Sequence, residues 1–259
     1  MNEIQLSGIN RASLTPNILM PLPDYDFDPT EAAIPWKALA ARGWQVLFST
    51  EHGKVAQGEA LRLKGPLPGL LSASMEARAA YRELSQDRAF QHPIPYADLN
   101  PEEYQAILLP GGDTSRMRQY LENAVLQDIV LQFWQLGKLI GAICHGPLVL
   151  ARTINPRTGC SVLYGHKVTA LPRWLDYTGY RLARLLGRDY LLYPRCVEEE
   201  VRASLERPEH FLHGPSIMTP YAVTDGNLVT ARWYVDAELF AWRFAEVLEQ
   251  RMRAEAKGM

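Results

Sequence analysis

The sequence predicts one doubly wound α/β domain on a mostly parallel sheet, with an inserted cap segment. Three observations carry this prediction. Unbroken apolar runs, such as Ala106-Ile107-Leu108-Leu109 and Leu139-Ile140-Gly141-Ala142-Ile143, alternate with segments of helical period. Runs of that kind belong to strands covered on both faces, the condition of a parallel sheet. The opening of the chain reads as a βαβ unit, whose crossover is right-handed.

Residues 17–22 form an apolar run halted by Pro21 and Pro23, a first strand, and residues 24–28 a loop. Asp28-Pro29-Thr30-Glu31 then starts a helix, with an acid at the N-cap, proline at N1 and glutamate at N3. Ala32, Trp36, Leu39 and Ala40 recur at helical spacing up to Gly43, and Pro35 is expected to kink the helix. Residues 44–50 are the second strand. Residues 51–100 break the alternation, because Gly65-Pro66-Leu67-Pro68-Gly69 precedes a helical segment over residues 72–87. This stretch reads as the cap, bounded at about 51–103. The rhythm returns with a strand over 106–110, the Gly111-Gly112 turn, and a helix to Gly137 that buries Leu121, Val125, Ile129 and Phe133. The strand over 139–143 runs straight into Cys144-His145-Gly146-Pro147 and a helix over 148–152. Residues 167–171 read as another strand, and 174–206 as helical with a break near Pro194. Residues 227–231 are the last strand, entered through Asp225-Gly226-Asn227 and followed by a C-terminal helix. No repeat or linker divides the chain, so residues 1–259 are read as a single domain.

A net charge of −2, from 27 basic and 29 acidic residues spread along the chain, offers no footprint for nucleic acid or an anionic membrane. A small-molecule site is expected instead. The three cysteines are odd in number and lack CxxC spacing, which argues against a disulfide framework or zinc cluster and for a reducing compartment. The first fifteen residues, with Glu3 and Arg11, have no basic-then-apolar layout, and no apolar run approaches the ~18 residues that span a bilayer. A cytoplasmic location is expected.

In an open parallel sheet, ligands bind beyond the carboxyl ends of the strands. Cys144 falls there. A cysteine that ends a strand and opens a helix must make a sharp turn, which Gly146 and Pro147 fit, and the helix N-terminus favours a thiolate. This is the cysteine counterpart of the serine nucleophile elbow. A small apolar residue closing a core strand fits the same position, so the junction alone leaves both readings open.

Ala142-Ile143-Cys144-His145-Gly146-Pro147, preceded by Leu108-Leu109-Pro110-Gly111-Gly112, resembles the signature of the ThiJ/PfpI superfamily. Asp28-Pro29-Thr30-Glu31, Pro35, Leu39, Gly43 and Val46 extend the likeness towards the N-terminus. The resemblance implies a flavodoxin-like, class I glutamine amidotransferase-like fold, a homodimer, and Cys144 as nucleophile beside His145. In the branch of heat-shock chaperones and cofactor-independent glyoxalases, the acid of a Cys-His-acid triad lies shortly after a proline ending the next strand. Leu171-Pro172-Arg173-Trp174-Leu175-Asp176 offers Asp176 there, a residue that also suits the solvated first turns of a helix. Glu31 matches the family glutamate that hydrogen-bonds the nucleophile. At N3 it can instead close a capping box onto residue 28, and the two roles differ in protonation, since a carboxyl buried beside sulfur has a raised pKa. The backbone amides of His145 and Gly112 would form an oxyanion site, with Gly111-Gly112 allowing close approach. Trp174, near Asp176, is expected over the pocket.

No cofactor or metal is expected. His52, His92, His166, His210 and His213 show no ligand spacing, Cys160 and Cys196 read as structural thiols, and Trp36, Trp134, Trp233 and Trp242 follow core periodicity. The resemblance implies a glyoxalase III-like conversion of small 2-oxoaldehydes to 2-hydroxy acids. Two alternatives stay open on the same residues: an amidase, peptidase or deglycase acting on an acyl substrate, and a stress-protective holdase or redox sensor without turnover.

Overall fold

The apolar runs become strands and the periodic segments helices. The computed structural model describes residues 15–65, 72–185, 187–192 and 195–258; the readings of the first fourteen residues, of residues 66–69 and of the break at Pro194 fall outside them. In chain order the elements are β1 (Asn17–Pro21), β2 (Tyr25–Phe27), α1 (Pro29–Ala40), β3 (Gln45–Thr50), β4 (Gln57–Gly58), α2 (Ala60–Lys64), α3 (Met75–Leu84), α4 (Arg88–Gln91), β5 (Ile94–Pro95) and β6 (Ala106–Leu109). They continue with α5 (Arg118–Leu121), α6 (Ala124–Gln135), β7 (Leu139–Ile143), α7 (Pro147–Arg152), β8 (Ile154–Asn155), β9 (Cys160–Ser161), α8 (Arg173–Leu185), α9 (Val197–Ser204), β10 (Ala222–Asp225), β11 (Leu228–Ala231) and α10 (Ala237–Gly258).

Seven strands form one sheet in the order β10-β11-β7-β6-β1-β3-β5. Every pairing in it is parallel except β10 with β11. The chain leaves β1 for β3 on one side, then returns to β6 and moves outward through β7 and β11 on the other. The switch point therefore lies between β1 and β6, where an α/β sheet opens its ligand crevice. β6 and β7 are buried along their whole length, so both faces are covered. α1 packs on α3 and α10, while α7 packs on α6 and α9. Gly141 lets α10 lie directly on β7, since an added Cβ would meet Phe244 Cδ2 at 2.7 Å and Phe240 Cζ at 3.0 Å.

Several elements differ from the sequence reading for local reasons. The loop over 24–28 contains β2, which pairs with β4. The helix after Gly112 is split, because the Asn123 side chain accepts the Leu126 N–H at 3.0 Å and starts α6 afresh. That restart buries Leu126, Ile129, Val130 and Phe133, and leaves Val125 46% exposed. Residues 167–171 make no ladder: Val168 forms a single bridge with Phe211, and the Thr169 N–H goes to Thr230 Oγ1 at 2.9 Å. α1 runs through Pro35 without ending there. The stretch 51–103 supplies α2, α3 and α4, and also β5 on the sheet edge.

Candidate active site

The end of β7 turns so sharply that Cys144 has φ = 62°. Only Asp26 among the other described non-glycine residues has positive φ. A side chain in that region costs about 1–3 kcal/mol, so the surroundings must hold it. They do: Cys144 N–H donates to Ala231 O at 3.1 Å, Leu171 N–H donates to Cys144 O at 3.3 Å, and Gly146 N–H donates to Ile143 O at 2.8 Å. Gly146 is obligatory, because an added Cβ would drive into the Leu109 carbonyl oxygen. Gly111, at the end of β6, is confined in the same way, with an added Cβ 2.7 Å from His145 N and 2.8 Å from both Cys144 Cβ and Glu31 Oε2.

Glu31 enters from the first turn of α1. Asp28 caps that helix, its Oδ1 accepting from Thr30 N–H at 2.7 Å. The Asp28 N–H donates to Gly111 O at 2.8 Å, and Gly111 N–H donates to Glu31 Oε2 at 3.0 Å. Glu31 therefore does not close a capping box. It is 1% exposed and hydrogen-bonded to the Cys144 side chain. Cys144 Sγ also lies 3.4 Å from His145 Nδ1, and both residues are buried. Asp113, directly after the glycine pair, places Oδ1 3.6 Å from the same imidazole nitrogen.

Asp176 lies in the same cavity, in the first turn of α8, and is buried. Its Oδ2 accepts from Val197 N–H at 2.9 Å, so it caps α9, and among the described residues no hydrogen bond joins it to His145. His145 still acts on it electrostatically, opposing the burial that raises its pKa. Gly112 packs against Asp26 O and Met117 Sδ, with an added Cβ 2.7 Å from the oxygen and 2.8 Å from the sulfur. Trp174 stands apart, 56% exposed and outside the cavity lining, which takes Trp233 and Tyr234 instead. Cys160 sits in β9 and Cys196 at the start of α9, away from the lining of the cavity.

A cavity of about 250 Å³ opens over the sulfur. Beside it lies an ionic cluster centred on Arg62, a residue that no sequence motif announced. Arg62 of α2 reaches Asp113 Oδ2 with Nη2 at 2.7 Å, and its Nε stands 3.5 Å from Asp28 Oδ2 and from Glu59 Oε2. Tyr190 O–H donates to Glu59 Oε1 at 2.8 Å. Three buried or half-buried carboxylates, Asp28, Glu59 and Asp113, thus share one guanidinium. Asp113 stays below the usual carboxylate range, since Arg62 and then His145 outweigh its burial. Burial, then the charge of Asp113, pushes Glu59 up to about 7.

Burial, then Asp28 and Asp113, holds Glu31 well above the ordinary glutamate value. Burial and the charge of Glu31 push the Cys144 thiol up as well. Burial, and then the charges of Glu31, Asp113 and Asp28, oppose the thiolate expected at the N-terminus of the six-residue α7. The pair titrates as a unit. When Glu31 carries the proton its repulsion vanishes, and its O–H can donate to the sulfur. Asp113, Cys144 and His145 also offer O, S and N donors within 4.8 Å of one another, a set that suits a zinc-like cation.

A profile of the family described as ThiJ/PfpI family-like matches residues 22–196. The chain is 24% identical to the glutathione-independent glyoxalase hsp3101 of Schizosaccharomyces pombe over 206 residues, 77% of this chain and 78% of that one. It is 28% identical to a deglycase of Pyrococcus horikoshii over 149 residues, 58% of this chain and 64% of that one. The chain spans about half the length of the first two curated relatives it matches, 52% and 56%, both uncharacterized proteins. The crystal structure of glyoxalase III from Candida albicans superposes with a TM-score of 0.66 at 19% identity, covering 89% of this chain and 96% of that one, a likeness of fold.

Proposed function

The chain belongs to the ThiJ/PfpI-like family, and from that premise we propose that it is a cysteine-dependent enzyme converting small 2-oxoaldehydes to 2-hydroxy acids, a reaction of the glyoxalase III type. The observation that carries this reading is the Cys144 sulfur held at the floor of a small cavity, against a carboxyl of raised pKa and an imidazole nitrogen 3.4 Å away. Sulfur adds to the aldehyde carbon while the thiol proton passes, through His145 or Glu31, to the aldehyde oxygen. The same groups then take the proton from that carbon and return one to the neighbouring carbon. Water displaces the sulfur and releases the acid. A carboxyl raised above its ordinary value is a better proton acceptor than a free glutamate and still able to give the proton back.

His145 is the second base, with Asp113 at 3.6 Å and Asp176 in electrostatic range to orient it. The amides of His145 and Gly112 are proposed as the oxyanion donors. The cap reading of residues 51–103 gains support from Arg62, which that stretch delivers to the cavity. Among the described residues no helix is long and apolar enough to cross a membrane. A single domain, a homodimer and a cytoplasmic location belong to the same proposal. The hydrolytic alternative needs the same groups, but a cavity of about 250 Å³ favours a small carbonyl over a peptide.

The test is lactate formation from methylglyoxal, without glutathione, by the wild type and by Cys144→Ala. Turnover that the substitution abolishes is expected. No turnover of any 2-oxoaldehyde by the wild type, or turnover that survives in Cys144→Ala, overturns the proposal.

A further inference from the structure

The cavity over Cys144 has two unlike parts. Its floor is polar, with Glu31, Arg62 and Asp113 around the sulfur. Much of its wall comes from α8, where Leu175, Gly179, Leu182 and Ala183 recur at the i, i+4, i+7, i+8 spacing of one apolar stripe beside Asp176, Thr178 and Tyr180, and Leu191 and Trp233 extend the stripe. About 250 Å³ is far more than one small molecule of a few atoms fills. The five non-hydrogen atoms of methylglyoxal would leave that apolar stripe in contact with water.

Gly179 is the second observation. It sits in the middle of α8, where glycine costs about 1 kcal/mol relative to alanine. No positive φ requires it, and an added Cβ would meet nothing within 4 Å. Neither backbone conformation nor close packing accounts for a glycine here. What it does supply is width in the cavity it lines.

We infer that the site is shaped for 2-oxoaldehydes bearing a bulky apolar group, aryl or branched alkyl, on the ketone carbon, and that Gly179 sets the width of the slot for that group. The inference rests on the 2-oxoaldehyde reading above. The apolar group lies along the α8 stripe and directs the aldehyde to Cys144. The chemistry balances internally: a sulfur–carbon bond forms at the aldehyde, one proton leaves that carbon and one is delivered to the ketone carbon, the hydroxyl proton of the adduct passes to the ketone oxygen, and water replaces sulfur and restores the thiol. The aldehyde carbon is oxidised as the ketone carbon is reduced, so the sum is oxoaldehyde plus water giving 2-hydroxy acid.

The experiment compares initial rates on methylglyoxal and phenylglyoxal, with lactate and mandelate quantified by chromatography, for the wild type, Gly179→Ala and Gly179→Leu. An apolar group of this size in a matching pocket is expected to raise kcat/KM about ten- to a hundredfold over methylglyoxal. Gly179→Leu should lower the phenylglyoxal-to-methylglyoxal ratio by about tenfold or more, and Gly179→Ala should lower it in the same direction by less. The ratio is read within one protein preparation, so a loss of folded enzyme does not move it. If Gly179→Leu does not fold, the alanine variant carries the comparison. Turnover of methylglyoxal without a phenylglyoxal preference overturns this inference and leaves the parent reading standing. A ratio unchanged in the folded variants overturns the role of Gly179. Turnover of neither substrate defeats the parent reading and this inference with it.

Discussion

Replacing Glu31 by glutamine separates the proton-carrying role of this residue from its structural one. Glutamine is isosteric, and its side-chain oxygen can accept the Gly111 N–H that Glu31 Oε2 holds at 3.0 Å, so the turn at the end of β6 should survive. The titratable proton is lost. Positioned acid–base transfer contributes about 10²–10⁴ in rate, so kcat on methylglyoxal should fall by that factor, about 2.7–5.4 kcal/mol of barrier at about 1.36 kcal/mol per tenfold. The thiol should respond the opposite way. The Glu31 charge opposes Cys144 ionisation, so removing it lowers the pH at which the thiol ionises. The variant should react faster with iodoacetamide near neutral pH while turning over substrate slowly.

Stability gives an independent reading with a definite sign. Because the folded value of Glu31 is raised above its unfolded value, the wild type is stabilised at low pH and loses that contribution as pH rises above the ordinary glutamate range. The loss has a limiting slope of about 1.4 kcal/mol per pH unit. Glutamine escapes it, so the melting temperature of the variant should gain on the wild type from mildly acid to neutral pH. Turnover by Glu31→Gln within about threefold of wild type, or a thiol whose alkylation midpoint does not fall, refutes this reasoning.

Three further substitutions test other parts of the site. Gly146→Ala pushes a Cβ into the Leu109 carbonyl and against Ile143 O at 3.0 Å, so it should cost about 1–3 kcal/mol and, by displacing Cys144, about a hundredfold in kcat; an unchanged melting temperature contradicts this. Glu59→Gln should flatten the pH dependence of stability, because the wild-type carboxyl, raised to about 7, gives up on the order of 3 kcal/mol as pH climbs from the usual glutamate value to 7. Parallel denaturation curves for the two proteins across that window would show the Glu59 shift to be absent. Asp176→Asn keeps an acceptor for the Val197 amide, so stability should stay within about 1 kcal/mol of wild type, while the lost charge near His145 lowers kcat about tenfold. Full activity would reduce Asp176 to a cap for α9.

Most of the frame was legible because strand signals in a parallel sheet are strong and local. Leu139–Ile143 and Ala106–Leu109 form where their unbroken apolar runs lie, and the cysteine that follows the first of them makes the expected elbow. Short-range competition is what escaped. Asn123 restarts a helix and turns Val125 outward, and the strand-like residues 167–171 spend their hydrogen bonds on the His210, Leu212 and Cys144 backbones and on the Asp225 and Thr230 side chains. At the site, Cys144, His145 and Glu31 come together because each is carried by a strand end or helix start with its own signal. Arg62 and Glu59 had none, since they belong to a stretch without a regular pattern and reach the cavity only through tertiary placement. Asp113 did have one: an acid directly after a Gly-Gly turn at the end of a central strand is bound to face the crevice. Trp174 shows the reverse error, because proximity in sequence to Asp176 says nothing about which side of α8 a side chain takes.

The most direct measurement is rapid acid quench of the enzyme during methylglyoxal turnover, followed by peptide mapping by mass spectrometry. The account predicts a substrate-derived adduct on Cys144 that forms and decays at a rate matching turnover. Turnover without any adduct on Cys144, or with the adduct on another residue while Cys144→Ala stays active, would contradict it.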